Sequence, residues 1–321
     1  MRFAFTDDQL ALRDAARELL EKECTPKVVR DAWTNVDGRS GLWPRLGEVG
    51  VLGVLATEAD GGFGGTFLDL VLVLEEAGRA ALPEPLVEHA AVALPALEGP
   101  GSAATGAVTV TARLPGTDLV PYADSCDLVW LDDRFVAPDG LALEPVASVD
   151  GSRRLFRASP RSGVHNARPG GSSARQNEEA FDRGALGTAA QLLGLAQRML
   201  DTSVEYAAER RQFGAPIGSF QAVKHKLADV RLGLEFARPV VYRAAYSVAH
   251  DDPERSVHVS MAKAYASDAA LLSARHALQV HGAIGYSFEH DLHLWMKRAW
   301  ALAAAWGDAR WHRARVGRAI L

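Results

Sequence analysis

Glu209-Arg210-Arg211-Gln212-Phe213-Gly214-Ala215-Pro216-Ile217, followed by Ser219-Phe220-Gln221, is the stretch on which the fold turns. A helical pattern leads into it, with Leu186, Ala190, Leu193, Gln197 and Leu200 along one face. Gly214 and Pro216 break that helix, and Ser219 is a suitable N-cap for the next one. An arginine at such a junction makes an anion site, because the guanidinium fork and the free amides of a helix N-terminus both favour phosphate oxygens. Arg210 holds that place here, although spacing alone favours a plainer arrangement, a pair with Glu205 or Glu209 on its own helix.

Working outward, Phe220 to Val248 is a second helical segment, with a kink expected at Pro239, which has no amide to donate. Pro253 to Val280 and Leu292 to about Ala319 complete four segments, enough for an antiparallel bundle over residues 182–321. Residues 1–100 also read as helical. Thr6-Asp7-Asp8-Gln9 is a capping box ahead of Leu12, Ala16 and Leu19 at helical spacing. Trp43, Leu46 and Val49 share one side of Leu42 to Leu55, and Asp69 to Gly78 is an apolar helix expected to end on its glycine. Between them, Gly61, Gly62, Gly64 and Gly65 read first as a tight connector and second as a place where backbone approaches a ligand. Residues 101–181 differ in character. Val108 to Ala112, Leu128 to Leu131 and two or three weaker runs between Gly140 and Phe156 are short strand candidates. Ser159 to Asn177, rich in Arg, Ser and Gly, reads as an exposed loop. The expected fold is therefore mainly α: an N-terminal helical domain, a small middle β domain and a C-terminal four-helix bundle.

Composition narrows the function. A chain of 321 residues with 48% apolar and 23% charged side chains is ordinary for a globular protein. A net charge of −5 argues against nucleic acid or an anionic membrane as the main partner. Cys24 and Cys126 have no metal or redox spacing, and the start Met1-Arg2-Phe3-Ala4-Phe5 lacks the apolar run of a signal peptide, so a cytoplasmic location is expected.

Arg210-x-x-Phe213-Gly214-x-Pro216-Ile217-x-x-Phe220-Gln221, with Leu227-Ala228-Asp229 beyond it, resembles the principal C-terminal signature of the acyl-CoA dehydrogenases. Gln279-x-x-Gly282-x-x-Gly285-Tyr286 resembles their second signature, with Ala283 in place of a usual glycine. Phe5-Thr6-Asp7-Asp8-Gln9, Trp43 to Gly50, the Gly61 to Gly65 cluster and Leu74-Glu75-Glu76-Ala77-Gly78 also look like family segments. The resemblance implies FAD as cofactor. It further implies that Arg210, Phe213, Gln221, Gln279 and Gly282 touch the pyrophosphate and adenosine of an FAD held mainly by a neighbouring subunit.

Departures from the family concern catalysis. No Thr-Glu-Pro-x-Ala-Gly-Ser-Asp-like loop follows the N-terminal helices, and the chain is a few dozen residues short between Leu97 and Pro121. At the far end Ala305-Trp306-Gly307-Asp308 stands where the family writes Tyr-Glu-Gly-Thr, and Arg310 replaces a Gln or Asn. Trp306 therefore takes the place of the base glutamate, and an indole does not remove a proton. Counting from Gly194-Leu195-Ala196 places Gly184 at the other base position used in the family, with Asp182 two residues upstream as a conceivable substitute.

Such a chain resembles the smaller subunit of actinobacterial α2β2 acyl-CoA dehydrogenases of steroid side-chain degradation. No catalytic residue is then expected in it, and a full-length partner would hold the acyl-CoA. The alternatives are a homo-oligomeric flavoenzyme with a relocated base such as Asp182, and a non-enzymatic assembly subunit. His276, His281, His290 and His293 lie close in sequence without a metal-site pattern, and the basic stretch Arg153 to Arg175 reads as a solvated loop. Trp295, Trp300, Trp306 and Trp311 do not fit one helix face, so some are expected to meet another subunit.

Overall fold

A computed structural model describes residues 4–34, 40–131, 134–161, 168–169 and 173–321. The N-terminal part contains α1 (Asp7–Glu23), α2 (Pro26–Asp31), α3 (Trp43–Val49), α4 (Phe67–Arg79), a π-helical segment (Val87–Ala93) and the short α5 (Gly101–Ala104). The capping box forms as read: Thr6 Oγ1 accepts from the Gln9 amide at 3.3 Å, and Gln9 Oε1 accepts from the Thr6 amide at 3.0 Å. α3 stops where Gly50 takes φ 83°. The glycine cluster is a connector: Gly64 N donates to Ala56 O, and a Cβ on Gly62 would lie 2.4 Å from that same carbonyl.

One expectation is corrected at α4. Gly78 is not its cap; the helix continues through it to Arg79, capped at Ala80. Gly78 is instead where α4 touches the long α6 (Ala174–Glu209), since a Cβ there would lie 2.0 Å from Gln191 O.

The middle region forms two small sheets. β1 (Val110–Ala112) pairs parallel with β3 (Leu128–Leu131), which pairs antiparallel with β4 (Arg134–Val136), and β4 with the backbone of β7 (Arg168–Pro169). β2 (Leu119–Pro121), β6 (Leu155–Pro160) and β5 (Leu141–Val146) make the second sheet, in that order. Val120, Val129, Leu131, Val136, Leu141 and Phe156 bury a minor core of their own. The expected loop from Ser159 to Asn177 is shorter than read: β6 reaches Pro160, and α6 already begins at Ala174 behind a Ser173/Gln176 capping box. Residues 162–167 and 170–172 of that stretch lie outside the described residues.

The C-terminal part follows α6 with a two-stranded hairpin, β8 (Arg211–Gln212) and β9 (Ala215–Pro216). Then come α7 (Gln221–Ala249), α8 (Arg255–His281), α9 (Leu292–Ala304) and α10 (Ala309–Ile320). α7 runs on through Pro239. The fourth expected segment is two helices, parted at Ala305–Asp308 by the left-handed residues Trp306 (φ 56°) and Gly307 (φ 86°). No helix among the described residues is long and apolar enough to cross a membrane.

Candidate functional site

Two regions gather the residues singled out by sequence, and they lie at opposite ends of α6. At its C-terminal end, α6 and α8 finish side by side: the rings of Tyr206 and His281 stack with centroids 4.4 Å apart, and His290 closes on His281 at 4.8 Å. The histidines thus serve aromatic packing here. This juxtaposition brings Arg210, Phe213 and Gln221 to the same end of the molecule as Gln279 and Gly282, and all five are exposed.

The local geometry leaves them facing outward. Phe213 and Gly214 are the two turn residues of the β8–β9 hairpin, and both take positive φ, 51° and 82°. Such a two-residue turn matches the twist of its strands but ordinarily selects Asn-Gly or Asp-Gly. Here it projects a phenylalanine that is 94% exposed, its ring edge-on to Phe220 at 6.3 Å between centroids. Arg210, the C-cap of α6, has no ion pair among the described residues, so neither Glu205 nor Glu209 takes it. Ser219 is not the N-cap of α7. Its hydroxyl turns back and donates to Pro216 O at 2.7 Å, and the cap is Phe220, with no side-chain hydrogen bond. Val223 N already donates to Phe220 O at 3.0 Å, so the Gln221 and Ala222 amides are the ones left to an outside acceptor. Their turn is tied to Arg210 by the Ile217 amide, which donates to Arg210 O at 2.8 Å. Gly282 caps α8 at φ 63°, ψ −137°, a conformation only glycine takes readily, with open space beyond its Cα. This end suits an anion and an aromatic plane supplied from outside the chain.

The other region lies around the N-terminal third of α6 and the Ala305–Asp308 turn. Trp306 is 4% exposed, and its indole lies against Gly184: a Cβ added to Gly184 would sit 2.5 Å from Trp306 Cδ2. The two positions singled out for a base are thus in contact, one a glycine and the other filling the space above it. Asp182 is buried with both oxygens engaged, accepting from Arg315 Nη1 at 2.7 Å and Ser256 Oγ at 2.6 Å. Asp308 is the N-cap of α10, accepting the Trp311 amide at 2.7 Å, and Arg310 is exposed. Trp295 is buried, whereas Trp300 and Trp311 remain 40% and 42% exposed.

Sequence reading missed the side chains that shape this turn. Lys263, fully buried on α8, donates to Ala303 O at 3.1 Å, Gly307 O at 3.0 Å and Ser267 Oγ at 3.3 Å. Its three donors meet three acceptors, while burial, opposed by Asp308, pushes its pKa down to about 7. The signal was a lone long cation flanked by Ala262 and Ala264, with Ser260 and Ser267 nearby. His312 is buried on α10 and donates through Nε2 to Trp306 O at 2.9 Å; burial drops its pKa to about 4, so it is neutral. Arg315 pairs with both Asp182 and Glu178 and lies over the rings of Phe181 and Trp311. Replacing Asp182 by Ala leaves the mostly buried Arg315 guanidinium with only the exposed Glu178 as ion-pair partner and should cost about 3 kcal/mol in urea unfolding; a loss below about 1 kcal/mol would show that the pair contributes little.

Fold and signatures together define an acyl-CoA dehydrogenase, and comparison with known proteins agrees. The family's N-terminal domain matches residues 6–105 and its C-terminal domain residues 174–321. The chain is 32% identical over 315 residues to the acyl-CoA dehydrogenase IpdE2 of Mycolicibacterium smegmatis, covering 95% of this chain and 96% of that one. It therefore belongs to the acyl-CoA dehydrogenase family. It is also 32% identical to FadE34 of Mycobacterium tuberculosis over 96% of its own length, but it spans only 47% of that protein. Among solved structures, the ChsE4–ChsE5 complex of Mycobacterium tuberculosis contains a chain that superimposes with a TM-score of 0.87 at 25% identity, covering 99% of this chain and 98% of that one.

Proposed function

We propose that this chain is the smaller, non-catalytic subunit of a heteromeric, FAD-dependent acyl-CoA dehydrogenase acting on a steroid side-chain thioester. In this reading it lends FAD contacts to a full-length partner in an α2β2 assembly. The observation that carries the proposal is the contrast between the two ends of α6. At one end Trp306 lies on Gly184 and Asp182 is held by Arg315, so neither base position offers a free carboxylate. At the other, Phe213 stands 94% exposed near the start of α7, which has no side-chain cap, and Arg210, which has no ion pair among the described residues. The chain's own half therefore fits neither a flavin ring nor an acyl group, while its outer edge fits the phosphates and adenosine of a flavin seated in another chain. Similarity to the acyl-CoA dehydrogenase IpdE2 and to a chain of the ChsE4–ChsE5 complex supports the same reading.

FAD, when bound, supplies the hydride acceptor of the desaturation, and the partner supplies the base. This chain's share would be positional. Arg210, Phe213 and Gln221 would hold the pyrophosphate and adenosine, with Arg210 and the free α7 amides offsetting phosphate charge. Gln279 and Gly282 would line the adenosine channel, where bare backbone allows close approach. The pairing of Asp182 with Arg315 speaks against the alternative of a relocated base. Produced alone, the chain should lack flavin. Co-purified with its partner, it should carry one FAD per pair of unlike subunits. Arg210→Ala in that complex should weaken FAD binding by about 10- to 100-fold, the value of a charge-assisted contact, as measured by flavin retention on dilution. Unchanged retention would favour a purely assembling subunit, and full flavin with turnover by the lone chain would refute the proposal.

A further inference from the structure

Trp306 is costly where it stands. It is a bulky residue at φ 56°, in the left-handed region, and its buried indole Nε1 finds no acceptor among the described residues. The surroundings nevertheless hold it there from three sides. Lys263 grips the carbonyls of Ala303 and Gly307, His312 grips that of Trp306 itself, and Asp308 fixes the start of the next helix. Below the indole, Gly184 leaves no room for even one carbon: an added Cβ would meet Cδ2, Cε3 and Cε2 at 2.5, 2.6 and 2.7 Å. Around it stands an aromatic wall, with Phe181 at 6.4 Å from Trp306 and 4.9 Å from Trp311, and His312 at 5.9 Å from Phe181. Arg315 covers the outer rings and neutralises Asp182. Residues from α6, α8, α10 and the connecting turn thus converge on one side chain, and that side chain occupies both positions from which a base would face a substrate.

We propose that Trp306 seated on Gly184 is a built-in plug that closes this chain's own acyl site, so that an acyl-CoA is admitted only on the partner's side of the assembly. The inference rests on the reading of positions 184 and 306 given above and deepens it. Loss of a base alone would leave a site that still binds thioester unproductively and draws substrate away from the partner. A closed one does not compete. Complementarity of the pair is the distinguishing feature: the largest side chain lies on the smallest, and neither is interchangeable without the other.

The test uses the full chain and reads thermal unfolding with two probes, free indole and octanoyl-CoA at millimolar concentration. Neither should move the Tm of the wild type. Trp306→Ala, or Trp306→Leu if the alanine variant folds poorly, should unfold at lower temperature and regain about 3 °C with either probe, because each refills the opened volume. Gly184→Ala should lower the Tm markedly in the wild type and hardly at all in the Trp306→Ala background, since the contact it offends is gone. Octanoyl-CoA binding to the wild type overturns the proposal. So does a Gly184→Ala effect of equal size in both backgrounds. Rescue by indole without rescue by octanoyl-CoA shows a packed core rather than an acyl site, and also overturns it. These readings need no flavin, so they fail separately from the Arg210→Ala experiment.

Discussion

Asp150→Ala should lower the stability of this protein by about 3–5 kcal/mol, the cost of removing one partner from a buried ion pair. Asp150 is 1% exposed and Arg298 3% exposed. Arg298 Nε donates to the Asp150 carboxylate, Nη1 donates to Leu82 O at 2.6 Å, and Nη2 donates to Ser152 Oγ at 2.9 Å. Ser152 in turn donates to Asp150 Oδ1 at 2.7 Å. Burial pulls the Arg298 pKa down, but Asp150 and Tyr122 outweigh it and the group stays firmly charged. Remove the carboxylate and that charge remains in a buried site. The consequence is architectural, because Asp150 and Ser152 lie on the loop between the two long strands of the β region and Arg298 lies on α9. One residue on, Arg153 pairs with Glu88 of the π-helical segment at 2.9 Å, both buried, and between them Gly151 packs under the Trp33 ring. The loop is pinned to the helices at two charged points, so Asp150→Ala should also expose the β region early to proteolysis. Arg298→Met in the same background should recover much of the loss, since no bare cation is then left behind. A single-variant cost below about 1 kcal/mol would mean that the network is solvated in solution.

Much of the helical frame was legible because its signals are local. Thr6 and Gln9 are three residues apart, and the periodic leucines of α6 need only the helix to exist. What sequence did not yield is long-range. Asp150 and Arg298 are far apart in the chain, and nothing near either names the other. The break between α9 and α10 sits in an alanine-rich run that favours helix, and it is enforced by Lys263 from α8 and His312 from beyond the turn. Ser219 looked like a cap, yet its hydroxyl had a nearer acceptor in Pro216 O. At the candidate flavin edge, motif spacing singles out Arg210, Phe213, Gln221, Gln279 and Gly282 as candidates. Their common exposure was not legible, because it depends on α6 and α8 ending together and on a turn conformation that a phenylalanine seldom signals. Asp182 illustrates the converse: its sequence neighbourhood left it open as a base, and only the fold brings Arg315 from α10 and Ser256 from α8 onto its two oxygens.

Gly194→Ala should be the most disruptive glycine-to-alanine change among the described residues, and it tests how the two candidate regions are held in register. An added Cβ at Gly194 would lie 1.8 Å from Glu75 O and 2.5 Å from the Arg79 amide. Both are backbone atoms of α4, so no side chain can rotate away, and the helices themselves must separate. The reciprocal contact, Gly78 against Gln191 O, lies on the same crossing and would open with it. Overpacking ordinarily costs about 1–3 kcal/mol, and a backbone-on-backbone clash belongs at or beyond the upper end of that range. The damage should spread along α6. Glu75 accepts from Tyr242 at 2.7 Å and pairs with Arg238 at 3.2 Å, and Arg79 pairs with Asp201 at 2.7 Å, so the wedge also strains the ties from α4 to α6 and α7. Because Gly184 and Arg210 ride on that one helix, the variant should weaken both the Trp306 seat and the proposed FAD contact, lowering Tm and, in the proposed complex, flavin retention as well. Gly99→Ala offers the control, for Gly99 has φ 61° but nothing within 4 Å of an added Cβ. It should lose only the roughly 1–2 kcal/mol of a left-handed residue. If the two alanine variants lose the same amount, backbone conformation rather than helix contact sets the cost. The close crossing of α4 and α6 would then not be what holds the two ends of α6 in place.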